Sequence, residues 1–302
     1  MLRTITFQGQ SVYELSNGRS TALIAPQAGA RLLNWKVDGE AVIFWPESAD
    51  WSKPAHVRGG NPILFPFIAR HMVNGEIGWW LDAVGTKREL PMHGFARNAV
   101  FGVVPMTDPN TLRMRIIPTP QTQAWYPFEF VFDVVYRLGD AELEVRLEAS
   151  NNGVDPMPYY MGHHFYFAVP HDARERWEVN IPCAQWGNQD FTDGSIKDRS
   201  AASAVTPLSD PKLSDRFHIG LKSKEISLLE SGTGKGVVFE LEAGGNAPWF
   251  DVTTWTQDGS SDFYCVEPWT GLPNAIHNGK GLRYLSPGTK ESAVCVLKAT
   301  GY

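Results

Sequence analysis

No stretch of this 302-residue chain approaches 18 consecutive apolar residues, so no segment has the length and apolarity of a membrane-spanning helix. The opening segment, MLRTITFQGQSVYELSNG, carries polar residues throughout and has no apolar centre of the kind a secretory signal needs. Asn-x-Ser/Thr sequons are missing as well. A cytoplasmic location is therefore expected. Cysteine is scarce: Cys183, Cys265 and Cys295 are odd in number, far apart and without C-x-x-C spacing. That pattern indicates neither a zinc site nor a disulfide framework, and it predicts small buried thiols in a reducing compartment. Positive charge is in deficit, with 27 Lys and Arg against 33 Asp and Glu and a formal net charge of -6. Without a basic stripe to neutralise phosphates, a nucleic-acid partner is not expected.

Helical periodicity is also missing. With 28 Gly and 21 Pro the chain leaves little room for long helices, and no amphipathic pattern persists beyond about two turns. The strand-and-helix alternation of a parallel α/β sheet is absent. What is present is period two. TITFQ, TALIAP, FEFVFDVVYRL, ELEVRLEAS, KEISLLE, GVVFELEA and AVCVLKA alternate β-branched or aromatic residues with polar ones. Turn-forming clusters separate them: SNG at 16–18, VDGE at 37–40, RLGDAE at 137–142, ASNNGVDP at 149–156 and ESGTGKG at 230–236. The last is a hairpin turn and not a phosphate-binding loop, because Gly236 stands where Ser or Thr is required. The expected fold is all-β, a large, mostly antiparallel β-sandwich with few short helices, forming one domain over 1–302. The polar segment 183–222 reads as a long excursion over the surface.

Three segments carry candidate chemistry. His93 lies in Pro91-Met92-His93-Gly94-Phe95-Ala96-Arg97-Asn98, beside a glycine that lets backbone approach a ligand closely. His163 and His164 lie in Gly162-His163-His164-Phe165-Tyr166-Phe167. On a strand they face opposite ways: His163 shares a face with Phe165 and Phe167, His164 with Tyr166. The apolar company makes His163 the better core residue and His164 the better catalytic one, a choice that alternation alone leaves open. Glu267 follows the apolar run Phe263-Tyr264-Cys265-Val266 and precedes Pro268, which is expected to end the strand. A carboxylate at the end of a buried strand is costly without a partner, and burial moves its pKa up into the range of a general base. Arg58, Arg70 and Arg97 are candidates for binding ring hydroxyls or a phosphate. Asp215 is a weaker candidate, and Trp79, Trp80 or Trp269 could stack on a sugar face.

Taken together these segments resemble the aldose 1-epimerase (mutarotase) superfamily over most of the chain. Gly59-Gly60-Asn61-Pro62-Ile63-Leu64-Phe65-Pro66, His93-Gly94-Phe95-Ala96-Arg97, His164-Phe165-Tyr166-Phe167 and Val266-Glu267-Pro268 with Gly271-Leu272-Pro273-Asn274-Ala275 are similar to its motifs and stand in its order. Phe165 is bulkier than the residue many relatives carry there. The resemblance selects His164 over His163. It implies a galactose-mutarotase-like supersandwich working without metal or cofactor on a small sugar, as a monomer or homodimer. In that scheme Glu267 is the base at the C1 hydroxyl, His164 the acid at the ring oxygen and His93 a supporting hydrogen-bond partner. Arg70, Arg97, Arg58, Asp215 and Asn61 would bind substrate. A free aldose is the expected substrate. The alternatives are a hexose 6-phosphate, suggested by Arg58 and Arg97, and a non-catalytic carbohydrate-binding protein on the same fold.

Overall fold

The computed structural model describes residues 2–241 and 244–302. Among these, two large antiparallel sheets dominate, one of thirteen strands and one of nine, accompanied by three two-stranded ribbons. The alternation seen in the sequence explains why. In the strand Glu142–Asn151, Leu143, Val145, Leu147 and Ala149 are all fully buried. The residues between them, Glu144, Arg146 and Glu148, point the other way into salt bridges. The strands Phe130–Leu138 and Lys290–Thr300 flank it in register, with Leu143 opposite both Leu138 and Leu297. The turn before it closes where the Gly139 N–H donates to the Glu142 carbonyl at 2.7 Å. The expected strand GVVFELEA is found as Gly236–Leu241, and its last two residues lie outside the described ones.

The core lies between the sheets. Phe65 stacks on Phe132 with ring centroids 4.1 Å apart and planes 7° from parallel, and Phe167 meets Phe239 at 5.3 Å. Aromatic side chains of this size contribute large apolar areas, and these contacts weld one sheet to the other. Helix is confined to short pieces. The longest, Pro120–Trp125, begins with a capping box from Thr119 and Pro at its first turn and ends within two turns. No helix among the described residues is long and apolar enough to cross a membrane.

Two expectations need correction. The segment 183–222 is not an excursion: it supplies the strands Cys183–Gln189, Ile196–Ser200, Val205–Pro207 and Arg216–Leu221. The first and last of these are interior to the large sheet. The polar residues that disguised them face solvent or a cleft, so apolar alternation is weak there. Nor does Pro268 end its strand, which runs Phe263–Trp269. The register that pairs Phe165 with Val266 and Gly162 with Trp269 sets Pro268 across from His163, at a lapse in the ladder. A residue without an N–H is tolerated where the ladder already lapses.

Replacing Phe132 by Ala removes half of the Phe65 stack and leaves a cavity between the sheets. The expected result is a loss of about 3–5 kcal/mol of stability, read as a lower urea midpoint at unchanged m-value. An unshifted midpoint would contradict this account of the core.

Candidate active site

The site is laid out by register. Across four neighbouring strands of the large sheet, Phe217 is paired with Thr253 and Thr253 with Glu267. Continuing the pairing of Phe165 with Val266 by one residue sets Glu267 opposite His164. Residues opposite one another on adjacent strands share a face, with Cβ atoms roughly 5 Å apart. Phe217, Thr253, Glu267 and His164 therefore form one row. Trp255, Cys265 and Tyr166 form the next row on that face, and Trp269 belongs to the row on the other side. The opposite face holds Phe165 and Phe167 in the core. His164 stacks on Tyr166 at 4.8 Å, whereas His163 stacks on Phe165 at 4.7 Å. The parity expected for this pair is the parity found.

Above the row is a cleft of about 440 Å³ lined by Arg58, Arg70, His93, His164, Asp215 and Glu267, with Trp255, Trp269, Phe217 and Thr253 among its walls. That volume lies within the roughly 300–1,000 Å³ of small-molecule pockets. Larger hollows of about 750 and 550 Å³ contain neither histidine nor carboxylate. His164 Nδ1 stands 3.3 Å from Glu267 Oε1, with the carboxylate 1% and the imidazole 10% exposed. His93 reaches the cleft from a loop. Its backbone sits at φ 65, followed by Gly94 at φ 72. A Cβ on Gly94 would lie 2.1 Å from the Phe65 carbonyl oxygen, so only glycine fits there. The Ala69 N–H donates to His93 Nδ1 at 3.1 Å and the His93 N–H donates to the Ala69 carbonyl at 3.0 Å. With Nδ1 accepting, the proton of the neutral ring belongs on Nε2.

Charge and burial tune these groups in opposite directions. Burial, aided by the negative charges of Asp215 and Asp251, holds the Glu267 carboxyl well above the usual range. Burial, then the guanidinium charges of Arg97, Arg31 and Arg58, pushes His164 well below its usual value. His93 is lowered by burial, then by Arg97, His164, Arg70 and Arg58. Both shifts favour the uncharged forms, so a proton shared by His164 and Glu267 is drawn toward the carboxyl.

The remaining sequence candidates are distributed as follows. Arg58 lies over the Trp255 ring at 5.2 Å and Arg70 over Phe191 at 4.4 Å, both at the cleft wall. Asp215 is at the rim; burial raises its carboxyl and Arg70 opposes the rise. Arg97 does not line the cleft, and its half-buried guanidinium, held at about 10 by burial, acts on the histidines as a nearby charge. Asn61 is fully buried and does not line it either. Its Oδ1 accepts the His164 backbone N–H at 2.9 Å and its Nδ2 lies 3.1 Å from His163 Nδ1. It fixes the backbone that presents His164. Trp269 lines the cleft with its Nε1–H donating to the His163 carbonyl at 3.1 Å. Trp80 is buried and Trp79 lies on a ribbon under Lys87. Thr253, Trp255, Phe217 and Gln189 line the cleft without having been singled out from sequence. Among the described residues, the set able to gather around a metal is His164, Cys265 and Glu267, whose ligand atoms lie within 4.8 Å of one another.

The family model for aldose 1-epimerase matches residues 11–297. The chain belongs to the aldose 1-epimerase family. A curated family relative, the chromosomal LacX protein of Lactococcus lactis, is 25% identical over 244 residues, covering 75% of this chain and 78% of the relative. A Cenchrus ciliaris protein provisionally named glucose-6-phosphate 1-epimerase is 25% identical over 263 residues, covering 80% and 72%. The fold is shared with the Slr1438 protein of Synechocystis, at TM-score 0.83, 22% identity and 99% coverage of both chains. It is also shared with a galactose mutarotase related enzyme of Lactobacillus acidophilus, at TM-score 0.79, 23% identity and coverage of 96% and 97%.

Three buried histidines outside the acid–base pair set a pH dependence. Burial lowers His71 and His218 to about 4 and His163 to about 3. Unfolding returns them to the ordinary value near 6.5, so below that pH the unfolded chain binds protons that the folded chain refuses. Their contribution to stability is therefore expected to fall as pH drops from about 6.5 toward about 4, while the raised carboxyls of Asp215, Asp251 and Glu267 act in the opposite sense. In His218→Asn, whose side-chain nitrogen can stand where Nδ1 meets the Val252 carbonyl, the urea midpoint should lose less than the wild type's as pH falls over that window. The same pH dependence in wild type and variant would refute this assignment.

Proposed function

We propose that this protein interconverts the α and β anomers of a free hexose by acid–base ring opening and reclosure. The observation that carries the reading is the buried His164–Glu267 pair, 3.3 Å apart on the floor of a cleft of sugar size. Glu267 as carboxylate takes the proton of the C1 hydroxyl while His164 as imidazolium gives one to the ring oxygen. The C1–O bond to the ring breaks and the C1 oxygen becomes the aldehyde carbonyl. Rotation about C1–C2 and the reverse proton transfers close the ring on the other face. The single proton of the pair begins on His164 and ends on Glu267, so its two placements are the two ends of the half-reaction. Burial favours the uncharged placement, with the proton on Glu267, which is the ring-opened end of the half-reaction. His93, with its ring proton on Nε2, donates a hydrogen bond to a sugar oxygen, and Trp255 and Trp269 offer ring faces to its C–H surface.

Asp215 supports an uncharged substrate. It stands near enough to Arg70 to act on it electrostatically, so the two offset one another and together bind hydroxyls. A second reading, a hexose 6-phosphate, has Arg58 and Arg70 at the cleft wall in its favour. Against it, Arg97 is outside the lining.

Polarimetry on freshly dissolved α-glucose and α-galactose should show equilibration faster than in buffer. Glu267→Gln and His164→Ala should each lose about 10²–10⁴-fold in kcat. No acceleration on any hexose or hexose 6-phosphate would end this reading. If the phosphorylated sugar is the true substrate, its kcat/KM will exceed that of the free sugar and collapse in Arg58→Ala. For a free hexose, Arg58→Ala should change kcat/KM by no more than about tenfold.

A further inference from the structure

We propose that His164, Cys265 and Glu267 form a binding site for a borderline-soft divalent cation of the zinc type, and that its occupation switches the acid–base pair off. Cys265 has no part in ring opening and does not line the cleft. Its position still follows from the same register. It sits two residues before Glu267 on one face of the strand Phe263–Trp269 and opposite Tyr166, the neighbour on which His164 stacks. Thiol, imidazole and carboxylate thereby meet, with all three potential ligand atoms within 4.8 Å of one another. One edge, His164 Nδ1 to Glu267 Oε1, is 3.3 Å. Bonds of about 2.0–2.3 Å in a tetrahedral zinc site imply ligand–ligand edges of about 3.3–3.8 Å, so one edge is already in place and side-chain rotation of about 1 Å closes the rest.

The donor set selects the ion. A neutral imidazole, as His164 is held, needs no proton displaced before it ligates. One thiolate and one carboxylate cancel a 2+ charge, which matters beside Arg31, Arg58 and Arg97. Binding releases two protons to solvent, one from the Cys265 thiol and the single proton of the His164–Glu267 pair. Hard cations such as Mg²⁺ do not bind thiolate well enough to drive that release. His164 and Glu267 line the cleft, so the ion enters by the route the sugar uses, and the fourth coordination position opens to the cleft. With acid and base both spent as ligands, proton transfer stops.

The inhibition arm of the test rests on the proposed epimerase activity; the spectroscopic arm does not. Co²⁺ is titrated into the full-length protein and into Cys265→Ser, with Cys265→Ala as the alternative should the serine variant misfold. The wild type is expected to develop a thiolate-to-cobalt charge-transfer band in the near ultraviolet, saturating at one ion per chain and absent from the variant. In polarimetric assays Zn²⁺ should inhibit competitively with sugar and be reversed by chelator, while Mg²⁺ has no effect. With each protein normalised to its own metal-free rate, the variant should need at least about tenfold more Zn²⁺. No charge-transfer band in the wild type, or equal Zn²⁺ sensitivity in wild type and variant, overturns the proposal. If no sugar is turned over, the epimerase reading fails and the cobalt band alone decides this one.

Discussion

The pairing of the strand Phe263–Trp269 with its two neighbours is the constraint on which the chemistry of this molecule depends. One register on each side brings Thr253, Glu267 and His164 into a line, and a slip of one residue on either side would turn a member of that line into the core. The core prevents the slip. Phe165 and Phe167 are committed to the apolar side, and Asn61 holds the backbone N–H of His164 from the neighbouring loop. The positions of His164 and Glu267 are thus consequences of the same packing that stabilises the sandwich.

That placement is electrostatically expensive, and the surroundings show how the expense is limited. Glu267 lies near two other carboxyl groups, Asp215 and the fully buried Asp251, and burial raises all three. The histidines face a cluster of guanidinium groups, of which Arg31 is wholly buried and satisfied by the carbonyl oxygens of Pro54, Val57 and Gly59. Acids pressed upward and bases pressed downward leave the buried groups neutral, which lowers their desolvation cost.

Much of this was legible in the sequence, for reasons that differ by segment. Glu142–Asn151 and Lys290–Thr300 announce themselves because one face is apolar and the other charged. The strand Arg216–Leu221 does not, because its apolar signal is interrupted by Arg216 and His218, both buried through specific hydrogen bonds. The parity of His163 and His164 could be read locally. Which residues would stand beside them could not, since Thr253 and Phe217 reach the cleft only through a register spanning more than a hundred residues of chain. Arg97 and Asn61 show the same limit from the other side. Their motifs are adjacent to the site in sequence, yet one acts as a nearby charge and the other as a backbone clamp.

The loop that carries His93 has a different origin from the strands that carry the other two groups. It is tied to the rest by the reciprocal bonds between His93 and Ala69 and by the close approach of Gly94 to Phe65. The intervening chain buries His71, Met72, Val73, Trp80 and Leu90 and is exposed at its turns, 74–77 and 83–87. Insertions or deletions there would reshape the mouth of the cleft without disturbing the register beneath it. On the proposed reading, the fold thereby separates what must stay constant for proton transfer from what is free to drift toward new sugars, which gives a lineage built on it room to diversify one property while conserving the other.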